Sequence, residues 1–168
     1  MKTSSLLNLA RCSYEKLIAI AGYAKSPLLL AIRLYWGYQF FITGKGKLED
    51  LPTTIENFRD NFHLPLPEIN AVLAGCTECF GGLLLLAGLA SRLTAIPLIF
   101  TMVVAYMTVH IDTVKGISED PDAFVSAPPF LFLFAALLVL VLGPGVFSID
   151  HLLARKLRAK PATTPVTA

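Results

Sequence analysis

The sequence has little charge. Only 15% of its 168 residues are Asp, Glu, Lys or Arg, against roughly 25% in soluble domains. Charge is missing almost entirely from four stretches, residues 27–43, 69–90, 93–111 and 128–143, which carry only Arg33 and Glu78. A soluble helical core can hold one such run, but four in a chain this size leave too little polar surface to cover them. Cysteine is scarce as well. Cys12, Cys76 and Cys79 are the only three, and none lies in the polar segments 44–68 and 112–127. This excludes a disulfide scaffold. There is no internal repeat and no glycine-rich phosphate loop. No Ser/His/Asp set or carboxylate pair stands out in the polar segments. The net charge of +2 argues for no nucleic-acid partner, because the basic residues sit at the margins of the apolar runs.

The chain is instead 55% hydrophobic, with a mean hydropathy of +0.65. Each run approaches the ~20 helical residues that cross a ~30 Å hydrocarbon core. The expected fold is an all-α integral membrane four-helix bundle, with the lipid bilayer as its first partner. Helix punctuation agrees. Ser26-Pro27 reads as an N-cap followed by Pro at the first helical position, and Ser126 before Pro128-Pro129 opens the fourth span similarly. Gly143-Pro144-Gly145 stops that span. Pro97 falls in the first turns of the third, where neighbouring helices can satisfy a freed carbonyl.

The loops set the orientation. Lys2, Arg11, Lys16 and Lys25 precede the first span, Arg92 sits between the second and third, and Arg155, Lys156, Arg158 and Lys160 follow the fourth. The other two loops are acidic. An excess of Lys and Arg marks the cytoplasmic side, so both termini are expected in the cytoplasm of a bacterial inner membrane. Residues 1–26 read as a retained amphipathic helix on the leaflet surface, with Leu7, Ala10, Tyr14, Leu17 and Ala21 on one face. Residues 27–153 form the bundle. Residues 154–168 form a basic, disordered tail.

Ionisable groups at membrane depth are expensive and face a partner or a cavity. Counting residues along the spans puts Arg33 and Glu78 within several ångströms in depth at ~1.5 Å per residue. They can therefore pair. Glu78 can alternatively serve as a proton relay, the candidate catalytic group, or face a small-molecule cavity. Tyr35 and Trp36 lie near mid-span and can flank a flat ring such as a quinone, with Arg33, Gln39 and Glu78 as polar contacts; packing between helices is the plainer account. Cys76 and Cys79 share a helix face, which fits small-residue packing, a redox dithiol, or half of a soft-metal site. The metal reading adds Met107 and His110 for an ion such as Cu(I). At ~100° per residue, the common face of the two thiols is turned away from Glu78, so the three side chains are not expected to converge.

Taken together, "IRLYWGYQFFITGKGKL", "AGCTECFGGLLLLAGLASR" and "GPGVFSID" resemble the DoxX/DoxD-like family of small four-span membrane proteins. The likeness rests on Arg33, Gly44, Lys47, Leu48, Glu78, Gly81, Gly82, Gly88, Leu89 and Arg92. It implies an accessory or membrane-anchor subunit of a quinone-linked redox pathway, with a protein partner or a second copy in the membrane, and not a complete enzyme alone. Copper handling and a non-catalytic assembly role are the alternatives. The four-helix arrangement also resembles thiol–quinone enzymes of the vitamin K epoxide reductase type, but those need a further cysteine pair on the outer side.

Overall fold

The computed structural model describes residues 2–158, with side chains at Arg11 and from Ser13 to Leu157. No strand occurs among the described residues. The helices are α1 (Lys2–Glu49), α2 (Leu51–Glu56), α3 (Pro67–Ala87), α4 (Ser91–Thr108), α5 (Ile111–Lys115), α6 (Pro121–Ser126), α7 (Pro129–Leu142) and α8 (Ile149–Arg158), with one π-helical turn at Asn57–Asn61. The protein is an all-α membrane bundle. Helices α1, α3 and α4 are long and apolar enough to cross a bilayer, and α7 is a shorter apolar helix. α1 packs chiefly on α3, α4 on α7, and α3 on α4.

Two expected boundaries are absent. α1 runs unbroken through Pro27, so no helix begins there and the break after residue 26 falls inside one continuous element. Proline removes one N–H and sterically crowds the preceding turn, but here the helix absorbs it. The Ser26 hydroxyl, expected as an N-cap, instead accepts from the Val146 N–H at 3.4 Å. Leu7 and Ala10 of the proposed amphipathic face lie outside the described side chains. At the other end, residues 154–158 are not tail but the second half of α8; residues 159–168 lie outside the described region.

Glycine sets how closely α1 and α3 approach. A methyl carbon on Gly44 would lie 2.7 Å from the Gly75 oxygen and would overlap the Cys79 backbone nitrogen. One on Gly82 would lie 2.6 Å from the Gly37 oxygen. Gly37 and Gly44 on α1 therefore face Gly82 and Gly75 on α3, each pair seven residues apart, and the two backbones touch. Small residues allow this close approach in membranes, where dispersion and not water expulsion holds helices together. Phe40, between the two glycines, is fully buried with Leu85, Leu98, Met102, Ala136 and Val139 in the core.

The end of the bundle that carries the α3–α4 turn is tied by polar groups. The Asp150 carboxylate accepts from the Ala90 N–H at 2.6 Å and the Ser91 N–H at 2.8 Å. It thus caps α4 from a residue distant in sequence, satisfying donors that a helix start leaves open. The Asp150 N–H donates to the Gly88 oxygen at 2.9 Å. Gly143 and Gly145 adopt positive φ and end α7 as expected. Arg92 donates to the Val141 oxygen at 3.3 Å, a cation at the C-terminus of α7.

Candidate functional site

The glycine register decides the partners of the two buried charges. Gly44 lies against Glu78 and Cys79. Arg33 precedes Gly44 by eleven positions, ~16 Å along the axis at 1.5 Å per residue. The expected Arg33–Glu78 pair therefore does not form. Glu78 pairs with Lys47, one turn beyond Gly44. Depth counting missed this because span one was ended at residue 43, whereas the helix continues to Glu49 and Lys47 reaches back along it. Arg33 is fully buried at the opposite end. It donates to the Phe147 oxygen and packs so closely on Gly88 that a methyl group there would overlap its guanidinium. Arg33 belongs to the joint that Asp150 ties.

Beside the Lys47–Glu78 pair lies a cavity of about 440 Å³. α3 lines it with Asn70, Leu73, Ala74, Thr77 and Glu78, and α4 with Pro97, Phe100, Thr101, Val104, Ala105 and Thr108. Both sets follow the three- and four-residue steps of one helix face. Near their connecting turn the two helices touch, with Gly81 against the Leu98 side chain; the cavity opens between them farther from the turn. Phe58, Phe62 and Leu64 complete the wall. The π-helical turn at Asn57–Asn61 carries Phe58 and leads into Phe62, and the two rings lie 5.8 Å apart. Beyond them, His63 and Leu66 hold positive φ, uncommon for residues with side chains. The segment then re-enters α3, where the Asn70 amide donates to the Pro65 oxygen at 2.6 Å.

The wall is mainly apolar with a few polar groups. Thr101 donates to the Pro97 oxygen at 3.0 Å and Thr108 to the Val104 oxygen at 2.8 Å. Each hydroxyl is thereby satisfied by its own helix. The charged pair is the strongest polar feature. The Glu78 side chain is 2% exposed, while Lys47 is 30% exposed.

Of the five residues expected around a flat ring, only Glu78 lines this cavity; Arg33, Tyr35, Trp36 and Gln39 do not. Trp36 stacks edge-on against Phe132 at 5.0 Å and Tyr35 at 5.1 Å, and Tyr35 is exposed, so these aromatics pack helices and face outward. Cys79 is buried and Cys76 partly so, both as free thiols. The Cys79 backbone fills the seam against Gly44. Among the described residues, no three His, Cys, Asp or Glu side chains form a metal-binding group. Met107 is exposed, and His110 lies edge-on to Tyr106 at 6.1 Å. The polar lining residues that sequence reasoning missed are Lys47, Asn70, Thr77, Thr101 and Thr108. Polar residues recurring at helical steps within apolar spans were the available signal.

The DoxX family model matches residues 28–111, half of the chain. A protein of Bacillus subtilis (strain 168) named "Putative oxidoreductase CatD" is 30% identical over 82 residues. That match covers 49% of this chain and 59% of the relative, so the chain spans little more than half the relative's length. No solved structure gives a significant match.

Proposed function

The chain belongs to the DoxX family, and from that premise we propose that it is a quinone-binding accessory subunit of a membrane redox pathway. The observation that carries this reading is the cavity beside Lys47 and Glu78. Its volume of about 440 Å³ lies within the roughly 300–1,000 Å³ of small-molecule sites, which combine apolar walls with a few placed polar groups. It suits a flat, mostly apolar ring with two carbonyl oxygens. Phe58, Phe62 and Phe100 would hold the ring. Asn70, Thr77 and the Lys47 ammonium would meet the oxygens. The Glu78 carboxylate would hold the Lys47 ammonium in place beside them. A bound quinone supplies a carrier of two electrons and two protons; a partner redox subunit supplies the electrons. The name of the Bacillus relative agrees with redox work but belongs to that protein. We place the chain in the bacterial inner membrane with both termini in the cytoplasm, on the distribution of Lys and Arg.

The test is chemical. Protein purified from its own membranes is extracted with organic solvent and the quinone quantified. We expect close to one quinone per chain, and less than a tenth of that in Ala74→Trp, which fills the cavity. Absence of quinone, together with no saturable binding of a short-chain quinone to the native protein, would overturn the reading.

A further inference from the structure

A shallow, open groove of about 470 Å³ lies at the opposite end of the bundle. Its lining includes Arg92, Leu93, Leu142, Gly143 and His151. We propose that this corner, together with α8, binds an anionic phospholipid of the adjoining leaflet.

Along α8, Ile149, Leu152, Leu153 and Leu157 fall within one sector of the helix at 100° per residue, with the Lys156 stem among them, and His151 and Arg155 fall opposite. Among the described residues, no element covers the apolar sector. Leu152 is 57% exposed and Leu157 77% exposed, and no helix packs substantially on α8. The bilayer is the occupant because the apolar surface is continuous. Exposed Val141 and Leu142 at the end of α7 lead through exposed Val146 and Phe147 to Ile149 and the leucines of α8. Every exposed residue from Val141 to Ile149 is thus apolar, so the face that meets lipid along α7 leads onto α8. Asp150 holds the start of α8 at that level by capping α4.

Charge selects the lipid. Arg92 and His151 border the groove, and Arg155 extends the basic surface along α8. Asp150 is also in the lining, but its two oxygens already accept from the Ala90 and Ser91 N–H groups. Leu93 and Leu142, both exposed in the same lining, offer an apolar wall for the start of an acyl chain. Amphipathic helices with basic polar faces bind anionic interfaces in this way.

The test uses the full-length protein in nanodiscs of phosphatidylcholine, with or without phosphatidylglycerol. Hydrogen exchange of residues 149–158 should slow when phosphatidylglycerol is present. Native mass spectrometry should retain phosphatidylglycerol over phosphatidylcholine by about fivefold for each basic residue engaged. The double change His151→Gln, Arg155→Gln should lower that ratio by at least fivefold while leaving the melting temperature unchanged. Equal retention of the two lipids by the native protein would overturn the proposal. So would full displacement of phosphatidylglycerol by inorganic phosphate, which would indicate a soluble-anion site. Protection of residues 149–158 that follows protein concentration and not lipid would assign the leucines to a second copy, and would equally refute it. None of these readouts depends on quinone, so the two proposals fail separately.

Discussion

Glu78 is buried with the Lys47 ammonium, so removing that ammonium strands a carboxylate at membrane depth. Lys47→Ala should destabilise the protein by about 3 kcal/mol, since breaking a buried pair leaves an uncompensated charge. The partial exposure of Lys47 places the cost at the low end of such cases. Lys47→Met combined with Glu78→Leu should recover most of the loss. Thermal unfolding in detergent measures all of these. Arg33→Ala should not couple to Glu78→Ala, because the two lie at different ends of the bundle. A coupling above 1 kcal/mol in that double-mutant cycle would contradict the glycine register. At Gly88 the prediction is steric: φ is +68° and the Ser148 Cβ would lie 2.7 Å from an added methyl carbon. Gly88→Ala should therefore displace Arg33 and loosen the joint, seen as faster hydrogen exchange at Ala90 and Ser91.

At the scale of elements, the α1–α3 seam depends on backbone contact. Gly44→Ala inserts a carbon against atoms that cannot rotate away, and overpacking of this kind costs about 3 kcal/mol. Gly46 is the internal control, because nothing lies within 4 Å of an added carbon there. Gly46→Ala should be neutral or slightly stabilising, by up to about 1 kcal/mol from helix propensity. Equal melting temperatures for the two variants would show that the seam is looser than described. The positions of the four apolar helices were readable from apolar runs, because crossing a bilayer imposes hydrophobicity over a minimum length. The continuity of α1 through Pro27 was not. A proline after serine looks the same at a helix start as inside a helix, and only the neighbouring chain, with Val146 bonding to Ser26, distinguishes them. α8 was also obscured, because ten residues give a weak pattern, and its second half read as part of a polar tail.

For the whole molecule, the residues preceding Pro27, the α3–α4 turn and the α7–α8 connection meet at one end, where Ser26 bonds Val146 and Asp150 bonds Ala90 and Ser91. Topology is therefore a single choice for the molecule. Reporter fusions after Ser26, after Ser91 and in the tail should all report cytoplasm. Fusions within residues 49–66 and 113–124 should report the outside. One reporter on the wrong side would remove the orientation, and with it the leaflet assigned to α8.

The sequence by itself determined that the chain is a helical membrane bundle, where its apolar helices lie and which family it belongs to. It also singled out Glu78, because a carboxylate inside an apolar run needs a partner or a cavity wherever the helices pack. The tertiary structure decided the partners. Which residues of α1 face Glu78 depends on the axial register of two helices, and that register comes from four glycines whose backbones touch, a property no count of residues from a span end contains. It also decided that α3 and α4 separate to leave a cavity edged by Thr77 and Thr101. A side chain that faces lipid and one that faces a cavity both need to be largely apolar, and only the placement of the neighbouring helix tells them apart.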